Sequence, residues 1–181
     1  MMLILAGVSG SGKTTVGTVI ARRLHWRFAD ADEFHPAANI EKMRAGIPLT
    51  DEDRWPWLQA IGAWMDARAA DGESAVIACS ALRRRYRDML LRGRPAARIV
   101  VLTADPALLA RRVTARPGHF FPGRLLGSQL ATLEPPRPDE PAVTAVRADQ
   151  PAGAVADAIM ALLLPGERAR DGAGGGDEAQ A

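Results

Sequence analysis

Apolar and polar positions along the chain fall into two alternating patterns. Short, mostly apolar runs at 3–6, 27–29, 75–79, 99–102 and 142–146 have the length of buried strands. Between them, at 13–24, 36–44, 51–70, 83–91, 106–115, 125–133 and 152–164, apolar residues recur every three or four positions, the period of a helix with one buried face. Strands separated by helices need crossover connections, so this order predicts an α/β fold on a parallel sheet. Trp57, Leu58, Ile61, Trp64 and Met65 repeat at helical spacing and read as a core stripe of the longest helix. Pro36 and Pro106 read as first-position prolines, the second capped by Asp105. Asp51, Glu52 and Asp53 put carboxylates at the positive end of the long helix.

Two stretches break the pattern. Residues 116–124, RPGHFFPGR, mix Pro, Gly, aromatic and basic residues and read as a mobile flap. From 165 to 181 apolar periodicity is lost, and a disordered tail is expected after a single domain over 1–164. The chain has 181 residues and is 48% hydrophobic, ordinary for one globular domain. No apolar run is long enough to span a membrane, and the start lacks a basic region and cleavage site, so a cytoplasmic protein is expected. A single cysteine, Cys79, permits no internal disulfide and reads as a small core residue. Net charge is only +2 and no basic stripe is interleaved with aromatics, which argues against a nucleic-acid partner despite Arg83–Arg85.

The segment GVSGSGKT at 7–14 joins the first strand to the first helix. Gly7, Gly10 and Gly12 allow the backbone to turn and approach a polyphosphate, with successive N–H groups aimed at its oxygens. The following helix start adds unpaired amides and the positive end of a dipole. In this spacing Lys13 reaches the β- and γ-phosphates and Thr14 offers its hydroxyl to Mg²⁺. Gly7, Ser9, Gly10, Ser11, Gly12, Lys13, Thr14 and Thr15, joined by Arg112 and Arg116 further along, are the expected nucleotide contacts, with Mg²⁺ beside the phosphates.

Other polar clusters decide the reaction. Asp30 and Asp32 lie just past the second strand, in an expected extended exit at the ligand-binding edge of an open sheet. Asp32 is the expected base toward an acceptor hydroxyl and Asp30 the expected metal-side carboxylate; the alternative is an ordinary acidic turn. His35 is a polyol ligand or a turn residue. Arg54, Arg83 and Arg87 are candidates for an anionic substrate, with a solvated surface network as the alternative. Arg112 and Arg116, spaced i, i+4, together with His119 suggest an arginine-bearing lid over about 112–128. No strand-end acid of the Walker-B kind follows the third strand, where Ser80 stands, and no His or Cys spacing suits zinc.

Taken together, these segments resemble the gluconokinase family of small P-loop kinases. The resemblance rests on GVSGSGKT at 7–14, D-A-D-x-x-H-P at 30–36, NIEKM at 39–43, G-x-P-L-x-D-x-D-R-x-P-W-L at 46–58, CSALRRRYRD at 79–88, the run from Arg112 to Phe121, and SQLATLEPP at 128–136. It implies a three-layer α/β P-loop kinase fold with a five-stranded parallel sheet in the order 2-3-1-4-5 and a helical lid. It also implies Mg-ATP as donor, the 6-hydroxyl of D-gluconate as acceptor, and a homodimer. By similarity Lys13 and Thr14 serve the nucleotide, Asp30 and Asp32 the metal and acceptor, and Arg116 the lid. The family pattern often has a basic residue where Pro117 stands and lysine where Arg83 stands. Competing readings are a kinase of the shikimate kinase type, which also carries an acidic D-x-D after strand two, a slow nucleotide-hydrolysing regulator, and a nucleic-acid-dependent ATPase.

Overall fold

The computed structural model describes residues 1–115 and 124–164. Five strands, β1 (Met2–Ala6), β2 (Arg27–Asp30), β3 (Ala75–Ala78), β4 (Ala97–Thr103) and β5 (Val143–Arg147), form one parallel sheet in the order β2-β3-β1-β4-β5. The helices among the described residues are α1 (Lys13–Leu24), α2 (Ala37–Arg44), α3 (Asp51–Ala70), α4 (Arg84–Leu91), α5 (Pro106–Thr114), α6 (Arg124–Thr132) and α7 (Ala152–Leu163). None of them is long and apolar enough to cross a membrane.

Side-chain alternation along the strands divides the interior into two layers. Met2, Ile4, Ile77, Ile99 and Val101 point to the face covered by α3 and α4, packing against Trp57, Leu58, Ile61, Met65 and Leu90. Leu3, Leu5, Val76, Val100 and Leu102 point to the opposite face and meet Val16 and Ile20 of α1 and Val155 and Ile159 of α7. Strand β1 is buried on both faces along its whole length, and each of its large side chains contributes about 1.5–3 kcal/mol on burial. The strand ends that feed the phosphate loop therefore rest on the most deeply packed element of the fold. A third buried cluster, Val8, Leu82, Leu109 and Leu126, ties that loop to the start of α4, to α5 and to α6.

Helices α1 and α3 have the expected bounds, and the other boundaries depart from the expected ones by at most two residues, for local reasons. Pro36 caps α2 from outside, in extended geometry, instead of opening it. Asp105 caps α5 as expected, accepting from Ala107 N–H at 2.8 Å. Thr50 and Asp53 form a reciprocal capping box at the start of α3. The exit from β2 is not extended: residues Ala31–Phe34 form a 3-10 turn. Asp30 causes this, because its Oδ1 accepts from the Asp32 N–H at 3.2 Å and folds the chain back. Cys79 is a buried core residue, and burial pushes its thiol up to about 12.

Candidate active site

The phosphate loop is shaped by contacts that only glycine admits. Gly7, Gly10 and Gly12 all adopt positive φ, at 135°, 78° and 94°. A Cβ on Gly7 would lie 2.7 Å from the Leu102 carbonyl oxygen, and one on Gly10 would lie 2.9 Å from Val113 of α5. The loop thus wraps tightly between β4 and α5 before entering α1. Arg112 buttresses it from outside, donating to the Ala148 carbonyl at 2.9 Å and lying 3.5 Å from the Gly10 carbonyl. Lys13 Nζ arches back to the Val8 carbonyl at 3.0 Å, spanning the loop's mouth. Ser11 Oγ is buried and has no hydrogen-bond partner among the described residues. A glycine-shaped cradle with an orphaned hydroxyl and a lysine across it fits a polyphosphate, an anion that takes several donors at once.

Next to the cradle, Thr14 Oγ1 donates to Asp30 Oδ2 at 3.1 Å. This brings the hydroxyl opening α1 and the carboxylate ending β2 into one oxygen-rich position. Hard oxygen donors fit Mg²⁺, which binds through few protein ligands beside substrate phosphates and water. Among the described residues no group of three or more His, Cys, Asp or Glu could hold a metal by itself. Asp32 follows on the exposed side of the 3-10 turn. The cradle follows β1 and the acidic turn follows β2, both at the carboxyl edge of the parallel sheet, and the Thr14–Asp30 bond joins them on one rim.

Across that rim stands a second group. Trp57 Nε1 donates to the Ala31 carbonyl at 2.6 Å, clamping the 3-10 turn onto α3. His35 stacks on the Trp57 ring at 4.4 Å and meets the buried Asn39 amide at 3.3 Å. Burial, aided by the nearby Arg54 cation, lowers the His35 pKa to about 4, so the ring is neutral at physiological pH. With Asn39 donating to Nδ1, the hydrogen sits on Nε2. Asn39 also donates to the Asp53 carbonyl at 2.7 Å, and Lys42 pairs with the Asp53 carboxylate at 2.7 Å.

Arg54 lies 5.7 Å over the Tyr86 ring, and Arg83 lies 3.6 Å from Asp51. Asp51 also takes the Tyr86 hydroxyl and Arg85. The Tyr86 hydrogen bond chiefly holds the Asp51 carboxyl below its usual range. Burial and that same bond push the Tyr86 phenol up to about 12. One carboxylate therefore anchors a cluster in which Arg54, Arg83 and Arg85 supply three positive charges, a setting that favours an anion.

Arg87 does not join them, contrary to expectation. It is fully buried, with Nε and Nη2 each 2.9 Å from the Glu140 carboxylate and Nη1 donating to the Glu134 carbonyl. Its position on α4 turns it inward with Tyr86 and Leu90, away from the exposed face that carries Arg85. Arg84 pairs with Asp139 at 2.7 Å, so each arginine of this basic segment has a carboxylate partner, unlike a nucleic-acid stripe. Arg116 and His119 lie outside the described residues, as do residues 116–123 of the expected lid and the tail from 165.

Some site residues escaped sequence reasoning. The Asp51–Tyr86 pair joins the starts of two helices 35 residues apart, and Glu140 meets Arg87 across 53. No local pattern signals either. Gln129 of α6 is the third case, its Oε1 accepting from the Ser9 N–H at 2.7 Å. It lay within the SQLATLEPP segment without an assigned part.

Comparison with known proteins is consistent with this geometry. A family model described as an AAA domain matches residues 2–136. The gluconokinase of Gluconobacter oxydans is 48% identical over 141 residues, 78% of this chain and 79% of that protein. The thermoresistant gluconokinase of Escherichia coli is 42% identical over 164 residues, covering 91% and 94%. The chain belongs to the gluconokinase family. The crystal structure of a gluconokinase from Sinorhizobium meliloti superposes with a TM-score of 0.79 at 45% identity, over 90% of each chain. Family membership sets aside the shikimate kinase, regulator and nucleic-acid readings, and makes the phosphate loop and sheet order those of a P-loop kinase.

Proposed function

We propose that this gluconokinase family member transfers the γ-phosphoryl group of ATP to the 6-hydroxyl of D-gluconate, giving 6-phospho-D-gluconate and ADP. The observation that carries the reading is the Thr14–Asp30 contact, which joins the start of the helix after the phosphate loop to the acidic turn, with an arginine cluster around Asp51 beyond it. A donor in the cradle and an acceptor held by arginines would face each other there.

The backbone amides of the loop from Gly7 to Thr15, including Ser9, Ser11 and Gly12, hold the donor phosphates, and Lys13 neutralises their charge. Arg112 keeps the loop in place from behind. Thr14 and Asp30 would hold Mg²⁺, which when bound offsets charge on the phosphate oxygens. Asp32 accepts the proton of the acceptor hydroxyl as that oxygen attacks phosphorus in line. Neutral His35 offers its Nε2–H to the polyol chain, and Arg54 and Arg83 take the carboxylate at the far end. Arg116 and His119, on the lid at about 112–128, complete the charge around the transferring group in this reading. Catalysis comes from positioning and charge stabilisation more than from covalent chemistry. A cytoplasmic homodimer belongs to the same reading, supported by the family resemblance and the single cysteine.

Steady-state ADP release with Mg-ATP over a panel of gluconate, other sugar acids, shikimate, nucleoside monophosphates and single-stranded RNA tests it. Gluconate should stimulate release far more than the others. Equal or stronger stimulation by shikimate, a nucleoside monophosphate or RNA would overturn the substrate assignment.

A further inference from the structure

Gln129 has no part in the reaction described above, yet it touches the centre of the cradle. Its Oε1 accepts from the Ser9 N–H at 2.7 Å, a contact between positions 120 apart in the chain. Ser9 lies between Gly7 and Gly10, where the loop's amides are needed for phosphate oxygens. The contact is set by packing: Leu126 of α6 is buried with Val8 of the loop, and Leu130, one turn further along the helix, packs on the same cluster. Helix α6 is therefore seated against the loop, and Gln129 delivers a neutral acceptor to one of its donors.

We propose that Gln129 is an intramolecular competitor for the phosphate loop. Its carboxamide oxygen occupies the Ser9 N–H, and a donor phosphate oxygen takes over that N–H on binding. Phosphate prevails because a hydrogen bond to a charged acceptor is roughly twice as strong as one to a neutral amide. The released carboxamide is half-buried and returns to water. Nucleotide affinity is thus lowered by the cost of exchanging one satisfied hydrogen bond, about two- to tenfold. This inference rests on the reading of the loop as the ATP site.

The test is an equilibrium titration of the full chain with Mg-ATP, comparing wild type with Gln129→Ala, Gln129→Met and Gln129→Glu, each checked by thermal melting. Met keeps the length and apolar packing of Gln while removing the acceptor, and carries the comparison if the Ala variant fails to fold. Removing the competitor should tighten Kd about two- to tenfold in both neutral variants. Gln129→Glu should weaken it by roughly tenfold or more, because a carboxylate grips the Ser9 N–H harder and repels phosphate. These opposite signs are what a purely structural role would not produce. Weaker binding in the Ala and Met variants, or a Kd unchanged in all three, would overturn the proposal. Failure of wild type itself to bind Mg-ATP would instead strike the ATP assignment of the loop.

Discussion

Thr14 Oγ1 donates to Asp30 Oδ2 across 3.1 Å, joining the first turn of α1 to the last residue of β2. The helix after the phosphate loop and the strand that ends in Asp30 are thereby tied together at one edge of the sheet. Asp30 has a second task, since its other oxygen fixes the turn that presents Asp32.

Replacing either member of this pair should loosen metal binding without dismantling the fold. For Thr14→Ala and Asp30→Asn the Mg²⁺ concentration giving half-maximal ADP release should rise about 10- to 100-fold. A titration of activity against Mg²⁺ at saturating ATP checks this. An unchanged midpoint in both variants would remove them from the metal site.

Asp32→Asn should lower kcat by about 10²- to 10⁴-fold, the usual contribution of a positioned base, while the Kd of Mg-ATP stays at the wild-type value. Rapid-quench measurement of phosphoryl transfer, paired with nucleotide titration, separates the two effects. Near-normal turnover would show that another group accepts the proton.

The contrast between the phosphate loop and Arg87 shows what the sequence carries and what it does not. The cradle and the acidic pair are local in the chain: spacing, glycines and a flanking strand and helix suffice to read them, and the parallel topology follows from strand–helix alternation. The 3-10 turn was missed because it depends on which backbone group the Asp30 side chain chooses. Arg87 was misplaced because its fate is settled by Glu140, far along the chain, and a run of arginines looks alike until the helix phase is known. Gln129 reaches the loop only through the packing of α6 on Val8, a tertiary fact with no sequence period of its own.

Arg87 and Glu140 give a stability prediction that also tests that correction. Arg87→Ala leaves a buried carboxylate without its partner and should cost about 3–5 kcal/mol in chemical denaturation. Replacing both, Arg87→Met with Glu140→Leu, should recover most of that loss. The folded double variant should keep the wild-type KM for gluconate. A large rise in that KM with ATP affinity intact would return Arg87 to the substrate site.

His35 should make stability depend on pH in a defined window. Its ring titrates near 4 in the folded chain and near the ordinary 6.5 when unfolded, because burial and then Arg54 disfavour the cation. Between these values the unfolded chain binds the extra proton, so stability from this source is full above about pH 6.5 and falls as pH drops toward 4. Melting temperature measured across that range should decline more steeply in wild type than in His35→Gln. Parallel declines would mean that the ring takes its proton in the folded protein as readily as in the unfolded one.

The central claim is that the phosphate cradle and the acidic turn open onto one crevice, so that a sugar-acid alcohol meets the terminal phosphorus. A single-turnover reaction with ATP labelled in its γ-phosphate, excess protein and gluconate tests it most directly, with products separated and the position of the label assigned. The account predicts that nearly all label leaves ATP as 6-phospho-D-gluconate, and that omitting gluconate slows its departure to the rate of hydrolysis by water. Label recovered as inorganic phosphate at the same rate with and without gluconate would contradict it.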